Sequence, residues 1–341
     1  MDDQDIFVGF QDVVERFLAE LLKEESRRSV ISIYGMGGIG KTTLARNLYN
    51  CPSLVTSFPT RAWICVSQEF NTPDLLRNLL KKMTERDLQF YLCDLLKERK
   101  YLVVVDDVWH KAAWESVKRA LPDSKNGSRV IITTRKEDVA KSEDDNGLAY
   151  KLRFLRQEES WDLFCKKACQ VNKFDKIGWS PAMEEIAREM VERCGGLPLA
   201  IFVLSGLLSQ KKSLEEWKKV KAHLWRHMRN NSIEISHILS LSYNDLSTEL
   251  KKCFLYFGIF PEDTVISTEK LTRLWVAECF IYRVEERMED VAEDFLNELV
   301  RRSLIQVAKT FWENIIGCRI QDLLRDLAVK KATEVKIVRY L

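Results

Sequence analysis

The chain has 341 residues with 46% apolar content, enough for two or three packed domains. Its 53 basic and 51 acidic residues leave a formal net charge of +2, which excludes a global electrostatic pull toward nucleic acid or anionic lipid. No apolar run reaches the ~18 residues of a membrane-spanning helix. The nine cysteines are scattered without a CxxC pair, which points to reduced thiols and a cytoplasmic or nucleo-cytoplasmic setting. The opening at Met1-Asp2-Asp3 and a close in mid-pattern read as a piece of something longer.

In chain order, Ile6-Phe7-Val8-Gly9-Phe10 precedes a helical pattern carried by Val13, Val14, Phe17, Leu18, Leu21 and Leu22. Val30 to Tyr34 is an apolar strand. It runs into Gly35-Met36-Gly37-Gly38-Ile39-Gly40-Lys41-Thr42-Thr43 and then a helix through Leu44 to Tyr49. Strand, glycine loop, Lys-Thr and helix in that order make a phosphate-binding loop. Glycines at 35, 37, 38 and 40 allow positive φ, so that backbone N–H groups turn inward around phosphate oxygens. The helix start adds its partial positive charge. Lys41 is placed to reach the terminal phosphates and Thr42 to sit on Mg²⁺.

Further on, Arg61 to Val66 reads as a strand. Asn71-Thr72-Pro73-Asp74 is a helix start whose apolar face continues to Met83, and a second helix covers Leu88 to Lys97. Tyr101 to Val105 is a strand buried on both faces that ends at Asp106-Asp107. A helix near Trp114 to Ala120 and a turn at Asn126-Gly127 lead into the strand Arg129 to Thr134, which ends at Arg135. Such alternation predicts a parallel sheet covered by helices, with ligands at the carboxyl ends of its strands. Lys41, Asp106 and Arg135 all fall on that rim.

From about residue 153 the pattern is helical: Ser160 to Cys169, Pro181 to Cys194, Leu199 to Leu208, and Leu214 to His227. Gly195 is placed to end one helix and Pro198 to open the next. Helices over Ile233 to Tyr243, Thr248 to Phe257, Ser267 to Ala277 and Met288 to Arg301 follow. A hairpin (Ile305 to Ala308 with Ile315 to Ile320) and a helix Asp322 to Ala332 close the pattern and suggest a winged helix. The expected division is 1–150 for the α/β P-loop domain, 151–229 for a helical bundle and 230–341 for the winged helix. His223 and His227 are an i,i+4 pair without an evident third ligand, so they read as a solvated helix face rather than a zinc site.

On the rim, Asp106 suits a Mg²⁺ ligand acting through water, because a hard cation wants oxygen. Asp107 is the candidate catalytic residue, orienting or deprotonating an attacking water. Arg135 is placed to contact a γ-phosphate and report its presence.

Val8-Gly9-Phe10, Gly35–Thr43, LVVVDDVW at 102–109, GSRVIITTR at 127–135, CGGLPLA at 194–200, CFLYFGIFPED at 253–263 and CRIQD at 318–322 carry a resemblance. They stand in the order found in plant intracellular immune receptors of the nucleotide-binding, leucine-rich-repeat type with an N-terminal coiled coil, and the match resembles their NB-ARC module over essentially the whole chain. Within that class the chain resembles a solanaceous-type helper receptor. The resemblance implies an α/β, a helical and a winged-helix domain closed around ADP in the resting state, with ATP and Mg²⁺ in the active state. Carried over by position, Val8 and Gly9 meet the adenine, with Pro198 and Leu199 packed on it. Gly35, Gly37, Gly38, Ile39, Gly40, Lys41, Thr42 and Thr43 hold the diphosphate, and Arg135 is the sensor arginine. The family's Met-His-Asp motif falls on Ile320-Gln321-Asp322, where Gln321 replaces the histidine that reaches the β-phosphate. A glutamine amide still donates a hydrogen bond but carries no charge, so either the latch is weaker or Gln321 does not touch the nucleotide. Asp322 organises the following helix start.

The resemblance implies a switch that exchanges ADP for ATP to trigger defence signalling and cell death, with hydrolysis at most slow and used for resetting. Its partners are the receptor's own coiled coil and leucine-rich repeats, and other receptor copies on activation; the isolated module is expected to be a monomer that binds neither nucleic acid nor membrane. Two other classes compete. An ordinary P-loop ATPase or small-molecule kinase needs a phosphate-acceptor pocket, and no such pattern is evident. A winged-helix DNA-binding regulator needs a basic footprint, which the balanced charges of 226–341 lack.

Overall fold

The structure is a computed structural model and describes residues 6–66, 96–141, 147–172, 179–226, 235–262, 264–281, 287–312 and 314–334. The helices expected from Asn71 to Met83 and over most of Leu88 to Lys97 lie outside the described residues. The chain divides into two units, Phe10–Arg153 and Met1–Gly9 with Phe154–Leu341.

In the Phe10–Arg153 unit, five strands form one sheet: β1 Ser29–Tyr34, β2 Thr60–Cys65, β3 Tyr101–Asp106, β4 Arg129–Thr134 and β5 Gly147–Lys151. Their order is β2-β3-β4-β1-β5 and every pairing is parallel. β1, β3 and β4 are buried at every position. Their unbroken Val/Ile runs are what strands covered on both faces require. Trp114 and Val117 from the helix Lys111–Ala120 and Val139 from the short helix Glu137–Ala140 join Val103, Val105, Val130 and Ile132 in one cluster. The helix Gln11–Leu21 buries Val13, Val14, Phe17 and Leu21, spaced along one stripe. Just past its end, the guanidinium of the buried Arg129 donates to the carbonyls of Leu21, Lys23 and Arg27. That arginine satisfies acceptors a helix C-terminus leaves open.

β5 has no counterpart among the strands expected from sequence. It is an edge strand whose burial alternates between exposed and half-buried, so it lacks the apolar run that marks the inner strands. The short helix Pro52–Ser57 has none either; it opens on a proline at its first position.

In the other unit, helices Gln157–Asn172, Pro181–Arg193, Pro198–Ser209 and Leu214–Arg226 come first. Pro198–Ser209 is buried nearly all round. Ser180 caps Pro181–Arg193 through its side chain, and Gly195 follows that helix with φ 60°, as the sequence predicts. Helices Ile235–Asn244, Thr248–Tyr256, Thr268–Ala277 and Met288–Arg301 and a three-stranded antiparallel sheet come next, ahead of the last helix Asp322–Glu334. The sheet order is β6 (Ile266–Ser267), β8 (Asn314–Arg319), β7 (Gln306–Phe311), which is the expected hairpin plus one short strand. Ser267, expected to begin a helix, is the N-cap of Thr268–Ala277 and also pairs with Gly317 on β8.

Candidate functional site

The glycine loop joins β1 to the helix Lys41–Tyr49. Positive φ occurs at Gly35 (153°), Gly38 (73°) and Gly40 (100°). Gly37, expected to share it, does not, because the turn is made at the other three positions. Gly40 is the N-cap, gives no side-chain capping bond, and the first helical turn holds no acid. The first intrahelical bond runs from Leu44 N to Gly40 O, so the N–H groups of Lys41, Thr42 and Thr43 precede any intrahelical acceptor. The result is an uncapped, electropositive helix start.

Lys41 is buried, and its Nζ donates to the carbonyls of Gly35 and Met36, 2.9 Å each. Both acceptors are neutral. Burial pulls its pKa down from the ordinary lysine value to about 8, despite the opposing charge of Asp107 nearby. A cation in this state gains from an incoming anion, and a diphosphate fits the donor set that Lys41 and the helix start present.

At the end of β3, Asp106 is buried. Its Oδ1 accepts from Thr42 Oγ1 at 2.9 Å and from Thr133 Oγ1 at 2.5 Å, while Cys65 Sγ lies 4.0 Å from Oδ2. A Thr42 hydroxyl that donates to a carboxylate keeps its lone pairs for a cation. Thr42 and Asp106 together therefore fit a hard, oxygen-seeking ion such as Mg²⁺.

Asp107, the candidate catalytic residue, directly follows β3. It has φ 55°, a left-handed conformation uncommon for a non-glycine residue, and its carboxylate is already engaged. Oδ2 accepts from Trp109 Nε1 at 2.9 Å, and Oδ1 lies 3.7 Å from Arg135 Nε. The Arg135 guanidinium also sits 4.6 Å over the Trp109 ring. Asp107, Trp109 and Arg135 thus form one cluster in which the acid is paired to the arginine.

The structure brings together Lys41, Thr42, Asp106, Asp107 and Arg135 in the Phe10–Arg153 unit. Val8, Gly9, Pro198, Leu199, Gln321 and Asp322 belong to the other unit. There, a Cβ on Gly9 would meet Leu155 Cδ2 at 2.8 Å, so that glycine serves close packing. Pro198 is the first residue of its helix and is buried with Leu199. Gln321 precedes the helix Asp322–Glu334, and its Oε1 is buried without a hydrogen-bond partner. Such an orphan acceptor is the kind of atom a ligand or a bound water satisfies. Thr133 and Trp109 figure among the sequence signals only within family motifs, GSRVIITTR at 127–135 and LVVVDDVW at 102–109. A hydroxyl inside an otherwise Val/Ile strand, next to its carboxyl end, is the sign that marks Thr133. Among the described residues no cluster of His, Cys, Asp and Glu is suited to hold a metal on its own, and no helix is long and apolar enough to cross a membrane. His227 lies outside the described residues.

Known proteins match this arrangement. An NB-ARC domain model matches residues 10–173, and a disease resistance protein winged helix domain model matches residues 259–328. A disease resistance RPP13-like protein 3 of Arabidopsis thaliana is 48% identical over 357 residues, covering 99% of this chain and 41% of its own length. Disease resistance protein RPP13 of the same species is 45% identical, covering 99% of this chain and 42% of its own length. A late blight resistance protein homolog R1B-16 of Solanum demissum is 38% identical, with 96% of this chain and 26% of that protein covered. The chain thus spans about two fifths of the length of the two Arabidopsis relatives. Among solved structures, a Signal Transduction ATPase with Numerous Domains protein with a tetratricopeptide repeat sensor from Pyrococcus horikoshii has a TM-score of 0.61 at 18% identity. It covers 96% of this chain and 43% of that one, and the likeness is one of fold.

Proposed function

We propose that this chain, which belongs to the NB-ARC family of plant disease resistance proteins, is an ADP/ATP-operated switch of an intracellular immune receptor. The observation that carries the reading is Lys41: a buried ammonium held by two neutral carbonyls, at the mouth of a glycine loop and an uncapped helix start. Lys41 and the N–H groups of the loop hold the diphosphate. Thr42 and Asp106 would hold Mg²⁺ when ATP is bound, and the ion would supply positive charge to offset that of the triphosphate. Arg135 leaves or keeps its pairing with Asp107 according to whether a γ-phosphate is present. While that pairing lasts, the Asp107 carboxylate is occupied by Arg135 and Trp109 rather than by a water, which fits slow turnover serving reset. Nucleotide contacts by Val8, Gly9, Pro198, Leu199, Gln321 and Asp322 are carried over from the family. The resting receptor holds ADP, exchange to ATP lets copies associate for defence signalling and cell death, and the setting is the cytoplasm. The receptor's own coiled coil and leucine-rich repeats are its first partners.

The test is a thermal-shift titration of the chain with ADP. At ligand one hundred times Kd the folded state gains about 2.7 kcal/mol, which raises Tm by several degrees. Lys41→Ala removes that shift while the variant remains folded. A Tm of Lys41→Ala that still climbs with ADP overturns the assignment of the loop. A steady turnover above ~1 s⁻¹ favours an ordinary ATPase instead.

A further inference from the structure

We infer that Thr133, on β4, is a positioning residue that sets the Mg²⁺ dependence of nucleotide binding, an inference that rests on the switch reading above. Thr133 is fully buried and its side chain makes two contacts. Its Oγ1 lies 2.5 Å from Asp106 Oδ1 and 2.8 Å from Asp107 N. An amide can only donate, so the Thr133 oxygen accepts from Asp107. A hydroxyl has a single proton, which therefore goes to Asp106 Oδ1. Asp106 offers an acceptor there, and the same oxygen accepts from Thr42 at 2.9 Å, so the two hydroxyls together orient its Oδ1. The main chain of Thr133 adds a third point, its carbonyl accepting from Val108 N at 2.8 Å.

One residue of β4 thereby fixes both sides of the β3 end: the carboxylate that faces the cation and the backbone of Asp107 in its left-handed conformation. Parallel pairing of β3 with β4 delivers it there, since Val105 lies opposite Ile132. Removing the hydroxyl at constant shape takes away one of the hydrogen bonds that orient Asp106 and the acceptor that Thr133 gives to Asp107 N–H. The phosphate contacts of Lys41 and the loop do not pass through Thr133. The consequence belongs to the cation and not to the diphosphate.

The experiment compares the 341-residue chain with Thr133→Val and Thr133→Ser, using a fluorescent ATP analogue titrated in EDTA and then in rising MgCl₂, and ADP in EDTA. Thr133→Val should lose about tenfold of the affinity that Mg²⁺ adds, the size of one charge-assisted hydrogen bond, with ADP affinity in EDTA unchanged. Thr133→Ser should restore the Mg²⁺ effect. If Thr133→Val does not fold by circular dichroism, Thr133→Cys, close in size and only a weak donor, takes its place. A hydroxyl-free variant with the full wild-type Mg²⁺ effect overturns the role of Thr133. So does one that loses affinity equally in EDTA and Mg²⁺, which marks a general structural defect. A wild-type chain that binds neither nucleotide in either buffer overturns the switch reading itself.

Discussion

At Lys41 two effects oppose each other. Burial lowers the pKa to about 8, and a bound phosphate favours the charged form and raises it again. Affinity for ADP therefore keeps its full Lys41 contribution below pH ~8, and that contribution falls as pH rises through the value of the free protein. We predict that Kd measured by titration calorimetry changes little from pH 7 to 7.5 and rises several-fold between pH 8 and 9.5, up to about tenfold per unit. A flat profile across that window would show that Lys41 is not charged against the phosphate. The Asp107–Trp109–Arg135 cluster illustrates what residue types alone leave open. Two consecutive acids after an apolar strand are legible as a cation site with a neighbour, but which carboxylate is engaged depends on the positive φ of Asp107 and on the indole two residues on.

At the scale of elements, the glycines between Pro181–Arg193 and Pro198–Ser209 have separate tasks. Both have positive φ, yet a Cβ at Gly195 would meet nothing within 4 Å, whereas one at Gly196 would lie 2.2 Å from Leu155 O. Leu155 N also donates to Gly196 O at 2.9 Å, so the two backbones are held together. Gly195→Ala should cost about 1 kcal/mol from its left-handed backbone. Gly196→Ala should cost at least ~2 kcal/mol more, because backbone has to move. Urea unfolding of both variants checks the ranking, and equal midpoints would refute it. The sequence shows Gly195 as a helix stop because that is local chemistry; the task of Gly196 depends on a partner some forty residues away, which no local pattern encodes. The same division explains the strands. Runs such as Leu102 to Val105 are readable because burial on both faces demands unbroken apolar residues, while β5 and the two-residue β6 are defined by pairing rather than by composition.

At the scale of the whole molecule, the fold classes are legible in the pattern of residues. Alternating strands and helices spell out the parallel sheet, and helices followed by a hairpin spell out the winged helix that the family match over 259–328 supports. Motif order carries the family. The motif shows Gln321 in the histidine's place but not its surroundings, where its Oε1 is buried and without a hydrogen-bond partner. A charged network also spans the second unit. Arg302, buried at the end of Met288–Arg301, pairs with Asp245 at 2.9 Å, and Lys211 reaches the same carboxylate at 2.6 Å. Burial pushes the Asp245 carboxyl up, and the hydrogen bonds and charges of Lys211 and Arg302 outweigh it, holding the pKa below the usual carboxylate range. Its stabilising share is therefore present above the ordinary carboxylate pKa and is lost as pH falls through the lowered one.

A resting state held by ADP fixes which nucleotide the purified chain carries. Denaturing the protein and separating the released nucleotides by chromatography should yield ADP at near one per chain, with little ATP. A chain that releases no nucleotide, or releases ATP in place of ADP, rules out an ADP-held resting state.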